Sequence, residues 1–232
     1  MNGPLTADEL EPLRRITTPT IANAIETFRV RPNSEGFMDH SIRCMFPELG
    51  PMAGYAVTAK ISARERSSAA LPPWDMWATM ESVPGPRVVV IEDLDYPTPV
   101  GSYWGEVNGS IYKGLGCAGV ITNGGVRDLD EVRATGFHFF ASCVLVSHAY
   151  VHLVEVGTPV RVGGLVVQPG DLLHADQHGV CSVPPECARD VANAAENLEK
   201  VERRIIDYAR SPEVSPEGLR KMMGGGSASE HR

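Results

Sequence analysis

Positive charge is in short supply in this sequence. Lys and Arg number 21 against 29 Asp and Glu, a formal net charge of −8. Proteins that bind polyanions neutralise phosphates with a basic stripe, so no nucleic-acid partner is expected. Long apolar runs are missing as well. The longest, such as Val88-Val89-Val90-Ile91, are strand-sized and far below the roughly 18 residues of a membrane span. No membrane association is expected, and residues 1–13 carry no basic stretch followed by an apolar one that would read as a secretory signal. Cysteines are few and odd in number. Cys44, Cys117, Cys143, Cys181 and Cys187 include no C-x-x-C, which argues for reduced thiols in a cytoplasmic protein rather than a disulfide framework. Internal repeats and interdomain linkers are absent. What is present is ordinary: 43% hydrophobic and 22% charged residues over 232 positions, the composition of a globular protein. One domain over 1–223 and a flexible Gly-rich tail over 224–232 are expected.

The chain reads as alternating elements. Thr6 to Glu9 fits a capping box, and Thr18-Pro19 offers an N-cap followed by proline at the first helical position. Strands are expected near 42–45, at 54–61 and at 87–91, with a short helix at 74–83 between the last two. The centre alternates helix 106–115, strand 118–122, a turn at Asn123-Gly124-Gly125, helix 129–135 closed by Gly136, and short strands at 137–141 and 143–146. That rhythm predicts an α/β fold with parallel pairing. Residues 159–183 read as β-rich, with turns at Pro169-Gly170 and at 176–179. A long helix is expected over 185–210, with Val191, Ala194, Ala195, Leu198, Val201 and Ile205 on one stripe. Ser215-Pro216-Glu217 can open a last short helix.

Several motifs have an ordinary explanation. Gly114 to Gly119 matches G-x-G-x-x-G, but it follows a helix and precedes a strand, the reverse of a dinucleotide site. A helix C-cap and tight turn explain it. His148 and His152, spaced i, i+4, could ligate a metal on a helix, or be a surface pair. His174, Asp176 and His178 share a face if the strand runs straight, yet Asp176 to Gly179 looks like a hairpin turn.

The segment Gly124-Gly125-Val126-Arg127-Asp128 is more informative. It lies where a buried strand ends and a helix begins, the place where α/β proteins gather ligands. Asp128 with Glu131 fits a helix cap; alternatively Arg127 clamps a carboxylate or enolate oxygen and Asp128 holds a hard cation. Gly105-Glu106 opens the preceding helix, with 20 residues between Glu106 and Arg127. Two successive helix N-termini would then face one crevice, and the free N–H groups of Val107 and Asn108 would point into it.

An acid, 20 residues and then Arg-Asp, here Glu106 and Arg127-Asp128, resembles the RraA-like family. Stretches 18–24, 54–58, 136–137, 162–164 and 169–180 are similar too. The resemblance implies a swivelling β/β/α domain with N-terminal helices and a long C-terminal helix, assembled as a homotrimer or homohexamer with sites between subunits. In the enzymatic branch it implies a 4-hydroxy-4-methyl-2-oxoglutarate aldolase or oxaloacetate decarboxylase, with a divalent metal, Mg2+ or Mn2+. By this resemblance Asp128 ligates the metal, directly or through water. Glu106 holds water of the metal's shell, and Arg127 binds the keto oxygen of a small 2-oxo acid. The Gly105, Val107 and Asn108 backbone cradles the substrate carboxylate. Glu202, or alternatively Glu199, reaches a neighbouring subunit's site. The family's other branch consists of non-catalytic regulators of ribonuclease E, generally shorter; a lyase or hydratase on another oxo acid is a third reading.

Overall fold

A computed structural model of the chain describes residues 3–224. Of the expected tail, residues 225–232 lie outside the described residues. Helix α1 (Ala7–Leu10) has the expected capping box: Thr6 Oγ1 accepts from Glu9 N–H, and the Glu9 carboxylate accepts from Thr6 N–H. Helix α2 (Thr18–Phe28) begins one residue earlier than the sequence suggests, with Thr17 as N-cap and no side-chain capping bond. A distant carboxylate takes that part, since Thr18 N–H donates to Asp176 Oδ2 at 2.9 Å.

Strand β1 (Arg43–Cys44), β2 (Met52–Ser62), helix α3 (Pro73–Glu81) and β3 (Arg87–Asp93) follow. Then come α4 (Glu106–Gly114), β4 (Cys117–Thr122), β5 (Gly125–Val126), α5 (Leu129–Thr135), β6 (His138–Ala141) and β7 (Cys143–Val144). The final part holds β8 (His152–Val156), the hairpin β9 (Val160–Val162) and β10 (Leu165–Val167), the hairpin β11 (Leu172–Asp176) and β12 (Gly179–Val183), and helices α6 (Val191–Ala209) and α7 (Pro216–Met222).

The main sheet runs β1-β6-β4-β3-β2-β11-β12, and β8 pairs with the far half of β2. Strands β2, β3, β4 and β6 are mutually parallel. Strand β2 is buried on both faces through Ala59, so its residues read as an apolar run more than as an alternation. One face of the sheet carries the helices over a core that includes Trp104, Tyr112, Phe137 and Phe139. The other face carries the β9–β10 hairpin over Val88, Val90, Ile121, Phe140 and Val162. This is the expected β/β/α layering.

Three expectations need correction. Helix α6 starts at Val191, because Pro184-Pro185 and the turns bonded Cys187 N–H to Pro184 O and Asp190 N–H to Cys187 O occupy 184–190. Gly125-Val126 is a short strand paired with β7 instead of a turn. His152 opens a strand, β8, that the sequence reading missed, so His148 and His152 share no helix.

Candidate functional site

The elements β3, α4, β4 and α5 bring the Gly105–Asn108 and Arg127–Asp128 segments together. Trp104 is fully buried, with its ring 4.9 Å from Tyr112 and 5.8 Å from Phe137. It anchors the residue just before Gly105-Glu106. Its carbonyl accepts Arg127 N–H at 3.0 Å, and it pairs with Val126 in an isolated bridge. Ser102 ties the two segments again: its Oγ lies 2.6 Å from Trp104 O and 2.8 Å from Gly125 O.

Asp128 sits at the N-cap position of α5 in the left-handed region, φ 55°, and makes no side-chain bond to that helix. The expected cap on α5 is not formed. The carboxylate turns instead to α4, where Oδ2 accepts Glu106 N–H at 3.0 Å and lies 3.6 Å from Arg127 Nε. A carboxylate is favoured there by the unpaired amides and dipole of the helix start. Gly105 explains the closeness: a Cβ on it would collide with Asp128 Oδ2 and come within 3.2 Å of Arg127 Nε. The arrangement leaves Asp128 Oδ1 and the terminal guanidinium nitrogens of Arg127 without partners among the described residues. Both side chains are about one-third exposed, 34% for Arg127 and 35% for Asp128. The Val107 and Asn108 N–H groups are the remaining free amides of the helix start. Asn108's side chain is spent on Tyr103 O at 2.6 Å, which braces the connection. Glu106 is exposed beside them.

The donor set can be tested against a divalent cation. No group of three or more His, Cys, Asp or Glu side chains among the described residues could hold a metal. The start of α4 instead carries two carboxylate residues, Glu106 at its first position and Asp128 bonded to the Glu106 N–H. That fits Mg2+ or Mn2+, which are commonly held by one or two carboxylates with water and substrate oxygens completing the shell. It does not fit a dedicated all-protein cage.

The other sequence candidates lie apart. Glu199 and Glu202 are exposed on α6, which packs chiefly on α2 and α7. No hydrogen bond or ion pair links either to the Arg127–Asp128 cluster within the described chain. His148 and His152 each bond a nearby backbone carbonyl, Ala149 O and Tyr150 O. His174 is structural: Nε2 donates to Leu13 O at 2.8 Å, so Nδ1 accepts from Thr18 Oγ1 at 2.9 Å. Burial holds that ring below the ordinary histidine range. Asp176 accepts from Thr18 N–H and His178 N–H; burial alone would raise its carboxyl, but these bonds outweigh it and hold it low. The triplet His174, Asp176, His178 thus pins α2 to the β11–β12 hairpin. Sequence reasoning missed Ser102 and Trp104, whose signals are contacts across 20 or more residues and not local patterns.

Comparisons with known proteins bear on the family and the fold. The RraA-like family, described as Aldolase/RraA, matches residues 18–181. An uncharacterised protein of Methanocaldococcus jannaschii is 27% identical over 153 residues, 66% of this chain and 70% of that protein. A Halalkalibacterium halodurans protein provisionally named 4-hydroxy-4-methyl-2-oxoglutarate aldolase is 25% identical over 139 residues, 60% of this chain and 62% of that protein. The crystal structure of an uncharacterised Pseudomonas syringae protein superposes with TM-score 0.73 at 23% identity, covering 95% of this chain and 96% of that one. With the matched stretch spanning most of the chain and containing Glu106, Arg127 and Asp128, this protein belongs to the RraA-like family.

Proposed function

We propose that the chain is a divalent-metal-dependent C–C lyase acting on a small 2-oxo acid. It would cleave by retro-aldol reaction or decarboxylation, in either case through a pyruvate enolate. The observation that carries this reading is the Asp128 carboxylate seated on the start of α4, accepting Glu106 N–H at 3.0 Å and 3.6 Å from Arg127 Nε, with both side chains about one-third exposed.

Each residue has a role in that reading. The Val107 and Asn108 amides bind the substrate carboxylate, as helix starts bind anions. Gly105 leaves room for Asp128. The unpaired guanidinium nitrogens of Arg127 receive the keto oxygen and hold the negative charge that develops on it. Losing one such donor commonly costs about 10²–10³ in rate. Asp128 and Glu106 would hold the cation. The chemistry it supplies when bound is Lewis-acid polarisation of the keto group. Glu202, with Glu199 as the alternative, would complete a neighbouring subunit's site in a trimer or hexamer.

Pyruvate release from oxaloacetate and from 4-hydroxy-4-methyl-2-oxoglutarate, coupled to lactate dehydrogenase, tests the reading with Mg2+, Mn2+ or EDTA. Release is expected with either metal, above the rate of metal alone, and is lost in EDTA. No release above background would favour the family's non-catalytic regulators or chemistry on another oxo acid.

A further inference from the structure

Ser102 stands in the connection from β3 to α4, three residues before Gly105. It is 2% exposed, so its hydroxyl does not act on a substrate directly. Serine is uncommon at such depth, because burying a hydroxyl is costly unless its bonds are made. Here they are made, and they go to the backbone of the two segments that carry the candidate site.

The bridge between Trp104 and Val126 shows what the hydroxyl does. In a parallel pair, a residue bonds with its N–H and its C=O to the two residues flanking its partner. Trp104 is therefore due to bond Gly125 O with its N–H and Arg127 N–H with its C=O. The second bond is direct, at 3.0 Å. The first runs through Ser102: Trp104 N–H donates to Ser102 Oγ at 3.1 Å, and Ser102 Oγ lies 2.8 Å from Gly125 O. The same oxygen lies 2.6 Å from Trp104 O. A hydroxyl has one proton to give. Trp104 O already accepts Arg127 N–H, so Gly125 O is the carbonyl that needs it. One end of the pair is closed backbone to backbone, and the other is spaced by a side-chain oxygen. That asymmetry sets the angle between the two segments.

The remaining contacts hold each segment from its far side. Ser102 N–H donates to Ser147 O at 2.9 Å, and Leu145 N–H to Val126 O at 2.9 Å. Ser142 Oγ lies 2.7 Å from Asn123 O and 3.0 Å from Gly124 O. Little slack is left where the segments meet next. Gly105 has no room for a Cβ beside Asp128 Oδ2, so a tilt of one segment moves Arg127 and Asp128 against the start of α4.

Resting on the lyase reading, we propose that Ser102 is a positioning residue: its hydroxyl, inserted between Trp104 N–H and Gly125 O, sets the angle at which Arg127 meets the start of α4. Without the hydroxyl, these two buried backbone groups stay unpaired or close on each other. Closing draws Gly125 towards Trp104 and turns Arg127 away from the place of the keto oxygen.

Steady-state pyruvate release with Mg2+ is compared for wild type, Ser102→Ala and Ser102→Thr, with thermal unfolding of each protein recorded and rates taken per folded molecule. Ser102→Ala should lower kcat by about 10²-fold, the scale of an ångström of misplacement. KM should stay within about threefold, because the Val107 and Asn108 amides assigned to the substrate carboxylate are untouched. Ser102→Thr keeps the hydroxyl and should stay within about tenfold of wild type. Where Ser102→Ala does not fold, Ser102→Cys, near serine in size but a weak donor, makes the same test. A kcat within about threefold of wild type overturns the proposal; with earlier unfolding, that outcome marks a purely structural role. Ser102→Thr as slow as Ser102→Ala overturns it too, since the hydroxyl would then not be what matters. Release by wild type with an unchanged kcat in the variant defeats this inference alone. No Mg2+-dependent release by wild type removes the lyase reading, and the inference with it.

Discussion

Asp128 shows how one residue's local sequence and its spatial partner can point different ways. Its spacing to Glu131 is that of a helix cap, and it does occupy the N-cap position of α5. The carboxylate is nevertheless drawn to the start of α4, 22 residues earlier in the chain. A spacing rule sees only the near partner, so the acid–Arg-Asp pattern is legible as a candidate site while its hydrogen bonding is not. Gly105 is the residue that makes that bonding possible. Gly105→Ala should displace Asp128 while leaving the buried Trp104 anchor in place. An ångström of misplacement at a reacting centre can cost about 10² in rate. Any turnover should therefore fall by about that factor, with thermal unfolding little changed. Wild-type turnover in Gly105→Ala would show that the Asp128–Glu106 contact is not needed.

At the scale of elements, the stretch from β3 to β6 was readable because each helix there covers the strands beside it in sequence. Apolar periodicity then reports burial directly. In the second half, β9, β10 and β12 lie within the stretch that reads as β-rich, but β8 escaped for a physical reason. Strand β8 pairs with the far half of β2, whose residues lie about 90 positions earlier, and no local pattern encodes a shared edge. Helix α6 kept its apolar stripe, but only Val191 and Ala195 are buried on it; Val201 is 54% exposed. Burial, not propensity, should set which side chains matter in α2. Ile25→Ala should cost about 2–5 kcal/mol in urea unfolding, and Glu26→Ala, exposed one residue on, less than about 0.5 kcal/mol. Equal effects would contradict the packing of α2 against α6 and the β11–β12 hairpin.

For the molecule as a whole, buried titratable groups give stability a pH dependence. His138 is 9% exposed, stacked on Phe140 at 6.2 Å, with Nδ1 unpaired. Burial, helped by Lys113 and Arg14, lowers it to about 4, against about 6.5 in an unfolded chain. Between those values the unfolded chain binds the extra proton. His138 therefore adds stability that is fully present above about 6.5 and is lost as pH falls towards about 4. Asp93 works in the opposite sense, since its raised carboxyl favours the folded chain below about 6. His138→Leu should lose less stability than wild type between pH 6.5 and 4, by up to about 3 kcal/mol. An unchanged slope in urea unfolding across that range would show that His138 is not held neutral by burial.

Arg127, placed beside Asp128, is central to the proposed lyase chemistry, and its role is read most directly by comparing metal-dependent pyruvate release by wild type and Arg127→Ala. Both proteins would be checked for the same thermal unfolding. Release by wild type with Mg2+ or Mn2+ is expected, with a loss of about 10² or more in the variant. Release by Arg127→Ala at the wild-type rate would contradict it.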